Sequence, residues 1–281
     1  MSRIVWSEKR IEKLQKEGRG RGCGSEYKPW LEITEISSLG VSHRSPSSKT
    51  QRTHHLLSNV EHDFFLMLEW ASDVLDIREQ FPLPRSVTRQ VAAELGIQHP
   101  FYPGTHVETV MTIDFLVTRM KNGVEVLEAY DAKRSDGVED TRTIEKLEIA
   151  REACQLNGVP HFLVFHDELP KTKVQNLAWI ATGPVQARET EPTPGFYKDY
   201  ATRMLLELPQ ANKYVSLSDY CASFDNCFGL ASGSGLRAAK ILMARRELMP
   251  DLGRPDLPGA PMGSFTLTAR HGDLRVVGGR K

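Results

Sequence analysis

The residues best suited to chemistry in this chain are two aspartates and a lysine that a predicted β-hairpin brings together. Asn122-Gly123 is typical of a two-residue type I′ turn, because both central residues of that turn need a positive φ. A hairpin closed by this turn places Asp114 directly opposite Asp131, with Cβ atoms roughly 5 Å apart. Lys133, two residues farther along the strand, lies on the same face as Asp131. The sequence therefore predicts a cluster of two carboxylates and one ammonium group.

This cluster has two possible interpretations. Two carboxylates opposite each other repel, and their apolar neighbours predict a mostly buried sheet in which the pair needs compensation. A divalent cation supplies it, and a nearby lysine can then hold or polarise a hydroxide aimed at a phosphate. The alternative is a solvated edge strand that carries Asp131 and Lys133 as surface charges, since Asp-x-Lys is common by chance. The register and the apolar neighbours favour the metal site.

Glu61 is a third carboxylate with two possible roles. Residues 58–61 fit a capping box, in which a glutamate at the third helical position bonds back to the cap. On the predicted helix, Glu61 shares a face with Phe64 and Leu68, so it borders the core and can point into the same cleft. The residues by themselves favour the cap. The neighbouring pair His54-His55 is a poor choice for joint ligation, because adjacent side chains diverge on a strand and on a helix.

The elements that must position these side chains follow an α/β order. A helix, three strands, a charged helix and an apolar strand succeed one another, which predicts helices packed around one sheet. The predicted bounds are 58–71 for the first helix, 74–77, 110–118 and 124–133 for the strands, 141–156 for the charged helix and 161–165 for the last strand. Ahead of them we expect a helix over 7–17 and then a flexible basic arm over 18–24, where alternating glycines cannot hold a helix.

A domain boundary is predicted at residues 167–173, where Pro170 and several charges interrupt the pattern. This divides the chain into a catalytic α/β domain over 1–168 and a mainly helical domain over 169–281. Two helices followed by a terminal hairpin with Arg270 and Arg275 fit a winged helix, whose wing can lie against phosphates. A small helical module that packs on the first domain or docks a protein fits equally well. The predicted elements are helices over 197–206, from 216 onward and over 236–248, and hairpin strands over 265–270 and 274–277.

Composition excludes several classes of protein. The 281 residues, 40% of them hydrophobic, can bury the core of one large domain or two modest ones. Lys+Arg and Asp+Glu number 36 each, so net charge does not indicate a nucleic-acid partner, and any DNA contact must come from local patches. Four widely spaced cysteines form no CxxC or CxxH pair, which argues against a zinc site. The apolar runs are too short for a membrane span and the N-terminus is charged, so we expect a soluble, cytoplasmic protein.

Short blocks of sequence, in order through the predicted first domain, match a known family. They are Glu17-Gly-Arg-Gly with Tyr27-Lys-Pro-Trp-Leu31, His54-His-Leu-Leu-Ser58, Leu68-Glu-Trp70, Val74-Leu-Asp-Ile-Arg-Glu-Gln-Phe-Pro-Leu83, Asp114-Phe-Leu-Val117 and Thr143-Ile-Glu-Lys-Leu-Glu148. On these blocks the chain resembles TnsA, the endonuclease subunit of heteromeric cut-and-paste transposases. The ten-residue block at Val74 is the most specific, and the match thins out after about residue 185.

The resemblance implies a restriction-endonuclease-like fold of the PD-(D/E)xK kind, followed by a winged-helix domain. The family pattern is a glutamate on a helix, an aspartate on a strand and Gln-x-Lys on the next strand. These positions fall on Glu61, Asp114, Asp131 and Lys133, with Asp131 where the pattern has glutamine. That change favours metal binding, and the ligand role of Glu61 now outweighs the cap, although one carboxylate can serve both. The implied cofactor is Mg²⁺, with Mn²⁺ as a substitute and the backbone carbonyl of Ala132 as a further ligand.

The resemblance also implies a reaction and partners in a bacterial cytoplasm. The reaction is hydrolysis of the non-transferred strands at the 5′ ends of a mobile element, while an integrase-like, TnsB-like subunit cuts and joins the 3′ ends. An AAA+ ATPase regulator, TnsC-like, is expected to contact the second domain. Two alternatives stay open: a non-catalytic assembly factor that bridges transposase, DNA and ATPase, and a stand-alone restriction or repair nuclease. Intact Asp114, Asp131 and Lys133 argue against the first, and activity of the isolated protein on free DNA would favour the second.

Overall fold

The computed structural model describes residues 5–35, 41–135, 140–186 and 189–268. Its contacts divide the chain into two compact units, Met1–Leu169 and Pro170–Lys281. The division falls inside the segment where the sequence predicts a boundary.

The first unit contains helices α1 to α4 and strands β1 to β6. Their bounds are α1 Glu8–Lys16, β1 His43–Pro46, β2 Thr53–Leu56, α2 Asn59–Trp70, β3 Val74–Pro82, α3 Arg85–Glu94, β4 Thr112–Lys121, β5 Val124–Lys133, α4 Thr141–Gln155 and β6 His161–Phe165. The described helices do not combine the length and apolar character that a bilayer crossing requires.

A four-stranded mixed sheet forms the centre of this unit, in the order β3-β4-β5-β6. The pairs β3/β4 and β4/β5 are antiparallel, whereas β5 and β6 run parallel and are joined through α4. A parallel pair needs such a crossover, because a tight turn cannot return the chain to the same end of the sheet. The α/β fold class predicted from the sequence is confirmed.

The hairpin between β4 and β5 has the predicted turn and register. Asn122 and Gly123 both have positive φ, of 51° and 78°, as a type I′ turn requires. The ladder runs without a bulge from Lys121↔Val124 to Phe115↔Tyr130. The next pair along this register is Asp114 with Asp131.

Apolar side chains pack against both faces of the sheet. Leu116 and Ala129 pack in a cluster that includes residues of α3 and α4, whereas Phe115 and Val117 pack in a cluster built on α2. Side chains of neighbouring residues on β4 therefore enter different layers, as the period of two in a strand dictates. Phe64, Phe65 and Leu68 supply the α2 side of the second cluster, and this packing holds the start of α2 beside the sheet.

The glycine-rich segment 18–24 packs against the sheet, so the expectation of a flexible arm is wrong. The Gly20 N–H donates to the carbonyl of Lys28 at 2.7 Å, and the Gly24 N–H donates to Asp76 Oδ1 at 3.2 Å. A Cβ at Gly20 would lie 2.1 Å from the ring of Pro82, so only glycine allows this approach. The glycines serve close packing and left-handed turns rather than mobility.

The second unit is mainly helical, as predicted. It consists of α5 Lys171–Ala181, α6 Phe196–Glu207, α7 Leu217–Phe228, α8 Ser234–Ala244, β7 Leu248–Met249 and β8 Thr266–Leu267. The last helix ends earlier than predicted, because Leu248 and Met249 leave it to pair with β8. Arg270, at the end of the first predicted hairpin strand, and the whole second strand over 274–277, with Arg275, lie outside the described residues, so the winged helix stays a prediction.

Candidate active site

Asp114 and Lys133 are joined directly across the hairpin. Lys133 Nζ lies 2.8 Å from Asp114 Oδ2 and 3.2 Å from Asp131 Oδ1, so one ammonium group bridges both carboxylates. The backbone N–H of Ala132 donates to the same Asp114 oxygen at 2.8 Å. The three predicted side chains are therefore brought together by the β4/β5 register.

Glu61 makes the capping contacts that its sequence context predicts. Ser58 Oγ accepts the Glu61 backbone N–H at 3.2 Å and donates to Glu61 Oε1 at 2.9 Å. The other carboxylate oxygen accepts the N–H of Leu57, one residue before the N-cap, at 2.9 Å. The cap is thus confirmed, and the ligand role of Glu61 stays a prediction.

The Glu61 carboxyl is also part of the electrostatics of the aspartate pair. Its side chain is buried, with the residue only 5% exposed. Burial, followed by the charge of Asp114, raises the pKa of Glu61 from 4.5 to about 8. Asp114 is therefore near enough for its charge to oppose ionisation of Glu61, which places the two carboxyls in one electrostatic environment.

The two aspartates have pKa values shifted in opposite directions. Burial, with the neighbouring Asp131 charge, raises the pKa of Asp114 despite its contact with Lys133. Burial also opposes ionisation of Asp131, but Lys133 and a hydrogen bond from His161 outweigh it and hold the pKa of Asp131 below its ordinary value. Burial lowers the pKa of Lys133, and the two aspartates more than reverse this, so its pKa is raised and it stays protonated.

Two polar residues at the site were missed by the sequence reasoning. His161, the first residue of β6, places Nε2 2.8 Å from Asp131 Oδ2. Gln80 on β3 has a positive φ of 47° and lies between Glu61 and Thr112. Its Nε2 donates to Glu61 Oε2 at 3.4 Å, and its Oε1 accepts from Thr112 Oγ1 at 3.3 Å. The Gln80 side chain therefore links the Glu61 carboxyl to the start of β4.

His54 and His55 diverge on β2, as the sequence predicts for adjacent side chains. His54 is buried and places Nδ1 2.7 Å from Glu79 Oε2, with Nε2 2.8 Å from Thr50 Oγ1. His55 instead places Nδ1 at the backbone N–H of Ile33, 3.4 Å away. His54 belongs to a buried ion network with Glu79, and the two histidines do not share a ligand site.

The donor chemistry of the cluster fits a hard divalent cation. Glu61, Asp114 and Asp131 offer carboxyl oxygens, the ligands that Mg²⁺ prefers, and the raised pKa values of Glu61 and Asp114 show that Lys133 alone does not compensate full ionisation of all three. Within the ranges that the structure describes, no three His, Cys, Asp or Glu side chains stand preassembled as a metal cluster. In this arrangement Lys133 lies against Asp114 and Asp131, and both oxygens of Glu61 accept hydrogen bonds.

Comparisons with known proteins all match one family. A family model described as TnsA-like endonuclease N terminal matches residues 71–166, and one described as TnsA endonuclease C terminal matches residues 168–252. Asp114, Asp131, Lys133 and His161 lie in the first matched range, and Glu61 precedes it.

A curated relative is the transposon Tn7 transposition protein TnsA of Escherichia coli, which is 46% identical over 175 residues. The alignment covers 62% of this chain and 63% of the relative, so the chain matches less than two thirds of that protein's length. Because both the N-terminal and the C-terminal models of one family match in order, and this relative agrees with them, the chain belongs to the family of TnsA-like endonucleases.

Proposed function

We propose that this protein is the DNA endonuclease subunit of a heteromeric transposase and hydrolyses the non-transferred strands at the 5′ ends of a mobile element. The observation that carries the proposal is the contact of Lys133 with Asp114 and Asp131 in a chain of this family. Buried carboxylates beside one lysine are suited to phosphodiester hydrolysis with a divalent cation.

Mg²⁺ is the proposed cofactor, with Mn²⁺ as a substitute. Asp114, Asp131 and Glu61 would hold it, and the backbone carbonyl of Ala132 would be a further ligand. When bound, such a cation lowers the pKa of a ligated water and stabilises negative charge on a phosphoryl group. The buried setting of the carboxyls strengthens this interaction, because little water screens it.

Lys133 is proposed to act as a fixed positive charge. Its raised pKa keeps the ammonium group protonated, so it is suited to donate a hydrogen bond to a nucleophile or to a phosphate oxygen. The same protonation makes Lys133 a poor proton acceptor. The contacts with Asp114 and Asp131 orient Nζ toward the position that the carboxylates share.

The substrate and partners are proposed from the family. The relative's name describes a transposition protein, which supports DNA at the ends of a mobile element as the substrate. The proposed partners are an integrase-like, TnsB-like transposase subunit and an AAA+, TnsC-like ATPase regulator, the latter contacting the second domain. The proposed setting is the cytoplasm of a bacterium.

The test is cleavage of end-labelled element-end DNA by the full chain, with and without the partner transposase, in Mg²⁺ and in EDTA. We expect 5′-strand cleavage that needs both the partner and the cation and that is lost in Asp114→Ala. Cleavage of free DNA by the isolated chain would favour a stand-alone nuclease. Unchanged strand cleavage with Asp114→Ala in the assembled reaction would leave this chain only a non-catalytic bridging role.

A further inference from the structure

His161 contacts the proposed metal site from the neighbouring parallel strand. Its Nε2 lies 2.8 Å from Asp131 Oδ2, and the two side chains are 3% and 6% exposed. The β5/β6 register pairs His161 with Ala129, two residues before Asp131, so the imidazole and the carboxyl share one face of the sheet. Both residues of this contact therefore lie on paired strands of the sheet and not in a loop.

This contact distinguishes the two oxygens of Asp131. Oδ2 faces the imidazole of His161, whereas Oδ1 lies 3.2 Å from Lys133 Nζ on the side of Asp114. The last torsion of an aspartate is soft, so the carboxyl plane is not set by its own rotamer preference. A buried donor on one oxygen restrains that plane and aims the other oxygen at the space shared with Asp114.

We propose that His161 is a positioning residue of the metal site, which holds Asp131 so that Oδ1 faces the cation. The proposal rests on the proposed function, because it assigns a second layer of contacts to the same site. Metal-binding carboxylates are commonly held in this way by outer hydrogen bonds, whose loss costs roughly 10- to 100-fold in affinity or activity. Lys133 does not replace this contact, since it bonds to Oδ1 of Asp131 and not to Oδ2.

Two kinds of variant separate positioning from packing. His161→Phe and the smaller His161→Leu remove the hydrogen-bond donor and fill the space of the imidazole with an apolar side chain. His161→Gln keeps an N–H that can reach the carboxyl. His99→Phe is the matched control, because His99 is also buried in the first unit and bonded to Thr88, away from the aspartates. The measurements on the full chain are Mn²⁺ affinity by calorimetry, the Mg²⁺ concentration for half-maximal cleavage, and melting in EDTA.

We expect His161→Phe and His161→Leu to weaken Mn²⁺ binding about tenfold and to raise the Mg²⁺ requirement by a similar factor, while His161→Gln stays within about twofold of wild type. His99→Phe should change melting but not cation affinity. In an Asp131→Asn background, adding His161→Phe should have no further effect on Mn²⁺ affinity, because the two residues act through one contact.

The outcomes separate this inference from the proposed function. Wild-type Mn²⁺ affinity in both donor-less variants, with binding lost in Asp114→Ala, would overturn the role of His161 and leave the metal site intact. Additive effects of His161→Phe and Asp131→Asn would also overturn it. Equal Mn²⁺ binding by wild type and Asp114→Ala would overturn the metal site itself, and the positioning role with it.

Discussion

Lys133 Nζ lies 2.8 Å from Asp114 Oδ2, and this contact joins the start of β4 to the end of β5. Without the ammonium group, the carboxylates of Asp114 and Asp131 would repel each other with no compensating charge between them. The β4/β5 ladder stops at Phe115↔Tyr130, and the Asp114 carboxylate accepts the N–H of Ala132 beyond that point. The carboxylate thus replaces a main-chain acceptor at the end of the ladder. The arrangement keeps an acidic side chain inside the sheet without leaving the Ala132 amide unsatisfied.

The first prediction concerns the chemistry of this cluster. Asp114→Ala, Asp131→Ala and Lys133→Ala are each expected to slow 5′-strand cleavage by more than about 100-fold, because each removes a charged group from the reacting position. The variants should still fold and bind the partner, but Lys133→Ala should melt at a lower temperature in EDTA, because it leaves two buried carboxylates without their counter-charge. The measurement is single-turnover cleavage of labelled element ends in the reconstituted reaction, beside melting curves of each variant.

Lys121→Ala is the matched control for Lys133→Ala. Lys121 also pairs with a carboxylate on the same hairpin, Glu128, but at the opposite end of the ladder. Its removal should leave the cleavage rate unchanged. A normal rate in Asp114→Ala, or an equal loss in Lys121→Ala, would contradict the assignment of the site.

The second prediction concerns the buried ion network beside the site. Glu79 is fully buried and accepts hydrogen bonds from Arg52 at 2.7 Å and from the backbone N–H of His55 at 3.1 Å, with His54 Nδ1 2.7 Å away. Glu79→Gln leaves the Arg52 charge without its partner, so we expect a loss of about 3–5 kcal/mol in the free energy of unfolding. Urea unfolding at neutral pH measures it, and Glu148→Gln, in an exposed pair with Arg151 on α4, is the control that should change little.

The stability difference between wild type and Glu79→Gln should decrease as pH falls. Burial raises the pKa of Glu79, but hydrogen bonds from Arg52 and His54 outweigh it and lower that pKa from 4.5 to about 2. The stabilisation is therefore present above about pH 4.5 and is lost as pH falls toward 2. Wild type and Glu79→Gln should converge in stability over that interval. A constant difference down to pH 2 would show that the Glu79 charge does not carry the effect.

The third prediction concerns independent folding of the first unit. Leu169 packs with the cluster built on Phe64 and Phe115, so a fragment ending at Leu169 keeps the whole described core of that unit. We expect fragment 1–169 to unfold cooperatively and to bind Mn²⁺, but not to respond to the ATPase regulator. A fragment ending at Leu156 removes β6, the parallel partner of β5, and should not fold. An insoluble 1–169 fragment would contradict the boundary.

Much of the site could be predicted from sequence because local rules determine it. The turn at Asn122-Gly123 sets the register of β4 and β5, and the register sets the positions of Asp114, Asp131 and Lys133. The capping box at Ser58 is equally local, since both partners lie within one helical turn. These inferences needed no knowledge of how distant segments meet.

The missed features depend on distant contacts or lack the usual signals. His161 meets Asp131 only through the parallel β5/β6 pairing, and no turn sequence specifies the register of strands joined by a helix. The β1 strand is short and mostly polar, and contains Pro46, so it shows no alternating pattern. Helix α3 begins after Pro84 without a side-chain cap and has few apolar residues, so its start carried no signal.

The last prediction separates the two roles of Glu61 by pH and by cation. Burial and the Asp114 charge raise the pKa of Glu61 from 4.5 to about 8, so its favourable contribution to stability is complete below pH 4.5 and is lost as pH rises through 8. In EDTA, Glu61→Gln should therefore be at least as stable as wild type near pH 9, since Gln also caps at this position and carries no charge to bury.

As a metal ligand, Glu61 must lose its proton, so the Mn²⁺ affinity of wild type should rise with pH up to about 8 and binding should release a proton. Glu61→Gln should bind Mn²⁺ more weakly, with a smaller pH dependence, and should need more Mg²⁺ for cleavage. Calorimetry in buffers of different ionisation enthalpy measures the proton release, and melting in EDTA gives the stability. Matching Mn²⁺ and Mg²⁺ titrations for wild type and Glu61→Gln would leave Glu61 with the cap alone and the cation with Asp114 and Asp131.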